Sequence, residues 1–270
     1  MADAAARRVV VIGASSGLGR CIGVGLARRG SRVALMARRK ERLDKAAAEA
    51  GDGALAIECD VTSSASCGAA IDQAAAELGG IDAVVYAPAF GHLARIEDID
   101  FDTWQSIFAT NVIGASLVTA AALPHLKASK GVVAYLSSVT GSETPPWGGL
   151  GSYAVSKAAL EKLIEAWRAE HPELGFTRVI VGECAGGEGD GMTGFADGWD
   201  GSLLGDLVGT WISRGYMTGA LMDVENLVNV IDQVTRMDAT VCIRSVTVAP
   251  RLIVPDVMPV NPETGRSVSS

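Results

Sequence analysis

The sequence predicts a doubly wound α/β fold, a single domain of about seven parallel strands with helices on both faces. Three observations carry this. Short β-branched runs recur along the chain, the middle ones almost continuously apolar, as strands buried on both faces are. Helix-like segments separate them with short joints, so the connections are right-handed crossovers. The chain has 270 residues, 49% hydrophobic and only 20% charged, enough for one large core.

The elements follow in order. "RRVVVIG" opens the sheet and leads into a helix from Gly17 to Arg29. "RVALMA" precedes a helix over Lys40 to Ala50, and "ALAIECD" one over Ser64 to Leu78. "IDAVVYA" is followed by one long helix, Phe101 to Lys127. "KGVVAYLSS" leads to a helix over Ser152 to Glu170, "FTRVIVG" to a glycine-rich stretch and a helix over Asp223 to Met237, and "TVCIRSVTV" closes the sheet. No linker or repeat divides residues 1–250. Residues 251–270, with three prolines and a serine-rich end, read as an irregular tail.

Composition excludes several classes. A formal charge of −8 argues against a general nucleic-acid surface. Cys21, Cys59, Cys67, Cys184 and Cys242 are odd in number and lack a C-x-x-C, which reads as reduced thiols in a cytosol. His92, His125 and His171 have no metal-ligand spacing, so no metal site is expected. The first residues run straight into a strand pattern, leaving no room for a signal peptide. Thr103 to Leu126 is uncharged, but Gln105, Asn111 and Pro124 interrupt it, which suits a core or subunit-interface helix better than a membrane span. A soluble, cytoplasmic protein is the expectation.

Two motifs carry chemistry. "GASSGLGR" places Gly13, Gly17 and Gly19 in the turn between the first strand and helix, where glycine lets the backbone approach a pyrophosphate held at the helix N-terminus. "GSYAVSK" sets Tyr153 four residues before Lys157, on one helix face. Such pairs occur by chance in many helices. A nearby cation would also lower the phenol's pKa and make it a proton carrier near neutrality.

"GASSGLG", Asp60 in "CDVT", Asn111 in "TNV", Ser138 in "LSSV" and "YAVSK" stand in the order and at roughly the separations of the short-chain dehydrogenase/reductase family. The chain resembles that Rossmann-type family over about residues 7 to 182, and in outline beyond. The resemblance implies hydride transfer between a nicotinamide cofactor and a carbonyl or secondary alcohol. Tyr153 would be the general acid and base, helped by Lys157, which would also hold the nicotinamide ribose. Ser138 would hold the substrate oxygen, and Asn111 a water beside the lysine. Gly13, Ser15, Ser16, Gly17, Leu18, Gly19 and Ala87 would line the cofactor; Asp60 and Val61 would meet its adenine, an N-cap role for Asp60 being the plain alternative.

Cofactor choice turns on "LMARRKER", where Ala37 replaces the acid typical of NAD enzymes and Arg38 follows. Arg38 is assigned to a 2′-phosphate, hence NADP, with Arg39, Lys40 and Arg42 read as a solvated helix start. Two loops depart from the family pattern. Tyr86, Ala87, Pro88 and Ala89 replace Asn-Asn-Ala-Gly, and "GECAGGEG" replaces the usual Pro-Gly. Residues 186–216 are rich in glycine and read as a substrate lid, with Trp147 and Trp199 as candidate walls of a pocket for a fairly apolar substrate. The outer faces of two helices, Ala115, Thr119 and Ala122 on one and Trp167 on the other, are expected to pair in a homodimer or homotetramer. The alternative reading is a nucleotide-binding regulator or scaffold on the same fold, its catalysis weakened by the two altered loops.

Overall fold

The computed structural model describes residues 6–186 and 195–251. Seven strands form one all-parallel sheet in the order β3-β2-β1-β4-β5-β6-β9: β1 Arg8–Ile12, β2 Arg32–Ala37, β3 Leu55–Glu58, β4 Ala83–Tyr86, β5 Val132–Ser138, β6 Gly175–Val181 and β9 Ser245–Val248. A separate two-stranded pair joins β7, Cys184–Ala185, to β8, Met222–Asp223. The expected final strand begins late. Only its Ser245–Val248 portion pairs, at the sheet edge beside β6, where one neighbour rather than two holds it.

Helices cover both faces. On one side α1 (Gly17–Arg28), α2 (Lys40–Ala50) and α9 (Val224–Arg236) bury Ile22, Leu26, Leu43, Ala46, Leu227 and Ile231 against Val9, Val11 and Leu35. On the other, α3 (Ser64–Leu78), α5 (Gly114–Ser129) and α7 (Gly151–Glu170) bury Ile71, Val118, Leu126, Leu160 and Ile164 against Val10, Ile12 and Val84. Side chains alternate along each strand, so an apolar run such as "VVVI" feeds both layers. That makes a three-layer α/β Rossmann-type fold.

The single long helix expected from Phe101 to Lys127 is instead three pieces. α4, Phe101–Phe108, passes through a π turn at Ala109–Ile113 into α5. The extra residue rotates everything after it by about 100°, which a uniform 3.6-residue period cannot foresee. As a result Ala115, Thr119 and Ala122 face the core and not outward, at 0%, 1% and 0% exposure. Thr119 Oγ1 bonds Tyr135 Oη at 2.7 Å. Trp167 likewise stacks between His171 and Phe176 of its own chain. The whole stretch Phe101–Ser129 is long and apolar enough to cross a membrane, but its inward face packs on α3 and the sheet.

The glycine-rich stretch holds an unforeseen helix, α8, Gly201–Ser213. Trp211 anchors it in a third cluster with Leu93, Val139, Trp147, Leu150 and Ile180. Residues 187–194 of the expected lid, and the expected tail apart from Arg251, lie outside the described residues.

Candidate active site

Strand order reverses between β1 and β4, which opens a crevice at the carboxyl ends of the strands. A cleft of about 930 Å³ occupies it. Gly13, Ser15, Ser16, Gly17, Leu18, Gly19, Arg38, Val61, Ala87, Ser138, Trp147, Tyr153 and Lys157 all line it, as the sequence suggested.

The glycines are required by space and by backbone. Gly13 and Gly17 hold φ of +79° and +57°. A Cβ on Gly19 would stand 2.4 Å from Gly13 O, and one on Gly13 2.9 Å from Pro88 N. Pro88, one of the departures from the family pattern, thus packs directly onto the turn. Ser16, the N-cap of α1, makes no side-chain cap bond, leaving the first-turn N–H groups facing the cleft for an anion. This cradle fits a dinucleotide pyrophosphate.

At the rim the sequence reading needs amendment. Arg38 is exposed and lines the cleft, but so does Arg39, which was read as solvated. Arg39 Nη2 donates to Ser16 Oγ at 2.5 Å and Nε to Ser15 Oγ at 3.3 Å. The bend before α2 turns its side chain back over the glycine turn. Asp60 is absent from the cleft lining, where Cys59, Val61 and Thr62 stand. Its Oδ1 accepts from Thr62 N and Thr62 Oγ1, an Asx turn that holds the carboxyl below its usual range. Ser63, not Asp60, caps α3.

Ser138, Tyr153 and Lys157 meet at the floor. Ser138 ends β5 and caps the single turn α6, Val139–Ser142, through Thr140 N. Its hydroxyl stands close enough to Tyr153 to oppose part of the rise in the phenol's pKa. The lowering of the phenol's pKa expected from Lys157 together with an oxidised nicotinamide does not come from Lys157 alone. Burial raises Tyr153 well above its ordinary value, and the neighbouring Ser138 hydroxyl opposes it only in part. Lys157 Nζ sits 5.6 Å from the Tyr153 ring centre and donates to Leu136 O at 2.7 Å. Burial pushes Lys157 down to about 8, against the field of Glu161. In a site this dry, desolvation outweighs the neighbouring charge.

Asn111 lies fully buried in the π turn. Both amide protons are used, donating to Phe90 O and Ser156 Oγ at 2.9 Å each. Its side-chain donors therefore hold protein, not a water. Tyr86, where the family has asparagine, sends its hydroxyl to Thr110 O in the same turn at 2.5 Å.

The lid aromatics separate by role. Phe195 lies on Tyr153 with ring centres 4.9 Å apart and lines the cleft. Trp199 backs Phe195 edge-on and donates to Gly91 O at 3.1 Å, one layer behind the wall it was expected to form. Trp147 lines the cleft and also packs on Trp211 at 5.3 Å. Glu183, in the loop after β6, accepts from Thr218 N at 2.5 Å and so pins the chain that returns from α8 to β8. Sequence reasoning named Phe195 among the lid aromatics but missed Glu183 and the cleft position of Arg39, since neither sits in a motif.

Comparison with known proteins places this arrangement. Residues 7–191 match the family described as short chain dehydrogenase. An 11-beta-hydroxysteroid dehydrogenase-like protein of Arabidopsis thaliana is 32% identical over 180 residues, 64% of this chain and 58% of its own length. The chain thus spans little more than half of that relative. Among solved structures, a short-chain dehydrogenase from Streptomyces avermitilis is 26% identical with a TM-score of 0.73, covering 90% of this chain and 89% of the other. An alcohol dehydrogenase from Thermococcus sibiricus, complexed with 5-hydroxy-NADP, shares the fold at 22% identity and a TM-score of 0.75, covering 90% and 95%. With the glycine turn, the serine, the tyrosine and the lysine brought to one cleft, and a family match over more than half its length, the chain belongs to the short-chain dehydrogenase family.

Proposed function

We propose that this protein is an NADP-dependent oxidoreductase interconverting an apolar ketone and its secondary alcohol. One observation carries the reading: Ser138, Tyr153 and Lys157 share the floor of the same cleft whose far end is the glycine cradle. A nicotinamide bound there would supply or accept the hydride. Ser138 donates to the substrate oxygen, and Tyr153 gives it a proton in reduction or removes one in oxidation. Lys157 would hold the nicotinamide ribose hydroxyls and carries positive charge beside the phenol. Phe195 and Trp147 wall the substrate from water, which favours a flat apolar molecule. The relatives named for hydroxysteroids support that choice.

Arg38, with Arg39 beside it over Ser15 and Ser16, gives two guanidinium groups for a 2′-phosphate. Exposed Ile113 and Val155, on the π turn and α7, are the face we assign to self-association, to be checked by light scattering. The deciding experiment is a spectrophotometric screen of ketones and secondary alcohols with both nicotinamide cofactors. Turnover with apolar ketones and NADPH is the expected result. Failure to bind either cofactor at millimolar concentration returns the scaffold alternative.

A further inference from the structure

A buried acid stands beside the catalytic cluster. Glu161 follows Lys157 by four residues, one turn further along the same face of α7, and is only 5% exposed. Its Oε1 accepts from Ser137 Oγ at 2.6 Å and from Ser142 Oγ at 3.2 Å, and its Oε2 from Arg178 Nη1 at 2.7 Å. One carboxylate therefore ties α7 to the end of β5, to α6 and to β6. Ser137 directly precedes Ser138, and Ser142 ends the turn that Ser138 caps. The approach is close. A Cβ on Gly141 would stand 3.1 Å from Glu161 Oε1 and 3.2 Å from Lys157 Cβ. Arg178 is held in turn by Ser245 Oγ on β9, 3.1 Å from its Nε. A buried carboxylate is costly unless fully paired, and packing alone would put an apolar side chain here.

We propose that Glu161 is a positioning residue which, with Arg178 as its counter-ion, fixes Ser138 through Ser137 and Ser142 and holds the positive charge of Lys157 in a dry site. Its purpose rests on the oxidoreductase reading; its geometry does not. Among the described residues the charged and titratable groups around Lys157 are few, with Glu183 and Asp197 elsewhere on the cleft lining. α7 itself contributes Tyr153 and Glu161, and β6 contributes Arg178 through Glu161. β5, α6 and the π turn offer only neutral groups, including Leu136 O, Ser138, Thr140 and Asn111, while Asp102 of α4 is exposed. Removing the acid takes the negative field away from Lys157 and leaves Arg178 without its counter-ion, which drives the lysine's proton off at lower pH. Removing Arg178 leaves the acid uncompensated and keeps the proton to higher pH. A purely structural brace would not produce opposite signs.

The test is a titration of the full-length, cofactor-free protein labelled with 13C at lysine Cε, followed by NMR. The wild-type midpoint of Lys157 is expected near 8. Glu161→Gln should lower it by about one pH unit and Arg178→Gln should raise it by a similar amount. Ser142→Ala, which removes a hydrogen bond and no charge, should leave the midpoint in place. The alkaline limb of carbonyl reduction should move in the same two directions. Midpoints that stay fixed in both charge variants, or move the same way, overturn the proposal. If circular dichroism shows that Glu161→Gln does not fold, the sign in Arg178→Gln decides. If the midpoints separate as stated but the wild type reduces no carbonyl, the network stands and the oxidoreductase reading falls.

Discussion

Asn111 exchanges two hydrogen bonds with the backbone of Phe90, its Oδ1 accepting from Phe90 N at 2.8 Å and its Nδ2 donating to Phe90 O at 2.9 Å. The amide stands in for a neighbouring strand. It satisfies a loop that leaves β4 and enters the cleft wall, while a third bond to Ser156 ties that loop to the helix of Tyr153. Asn111→Ala should cost about 1–3 kcal/mol of stability, because two partly buried backbone groups of Phe90 lose their partners. Urea unfolding measures it, and a loss within error of zero would show that the clamp is dispensable.

Tyr153→Phe keeps the ring against Phe195 and removes the proton. Turnover should fall by roughly three orders of magnitude or more with NADPH affinity nearly unchanged. Ser138→Ala should lower turnover by about a hundredfold, since it removes one donor to the developing oxyanion. Comparing kcat with the Kd from cofactor fluorescence separates both from a binding defect. Near-normal turnover in the phenylalanine variant would remove Tyr153 from its role.

Burying Lys157 costs stability, and the sign follows from linkage. Its pKa falls from 10.5 unfolded to about 8 folded, so the unfolded chain binds more protons between those values. Stability from this group therefore rises as pH increases from about 8 to 10.5. Lys157→Met should be more stable than wild type at neutral pH by about 2 kcal/mol, after discounting the lost bond to Leu136 O. The gap should shrink as pH approaches 10.5. Thermal unfolding of both proteins across that range would show it, and a gap that widens instead would contradict the argument.

Arg38→Asp should weaken NADPH binding by about ten- to a hundredfold and leave NADH unchanged or improved, through loss of one charge-assisted contact. Arg39→Ala should weaken NADPH by a smaller factor, since Arg39 acts partly through Ser15 and Ser16. Fluorescence titration with each reduced cofactor distinguishes them. Equal wild-type affinities for the two cofactors would refute the choice of NADP.

Phe195→Ala removes the ring that lies on Tyr153. For an apolar ketone large enough to reach that wall, kcat/KM should fall about tenfold, and for acetone-sized ketones hardly at all. A uniform loss across substrate sizes would instead mean that Phe195 supports Tyr153 rather than the substrate.

Much of this protein is written locally. Alternation of "VVVI"-type runs with helical segments determined seven parallel strands and their two covering layers, because a strand buried on both faces must be apolar at consecutive positions. Gly13, Gly17 and Gly19 were legible because only glycine tolerates their conformation and crowding. Tyr153 and Lys157 were legible because a helix brings residues four apart together.

What escaped the sequence depends on distance in the chain. The π turn that turns Ala115, Thr119 and Ala122 inward against α3 and the sheet is a local extra residue that no period reports. Glycines hid α8, because its stability comes from Trp211 docking beside Trp147 and not from helix propensity. Arg39 stays exposed, and its contact with Ser15 and Ser16 arose only when β1 and β2 lay side by side. The balance at Tyr153 and Lys157 was likewise decided in three dimensions, since spacing shows which charges are neighbours but not how much water is gone. In this cleft it is the loss of water that sets both pKa values.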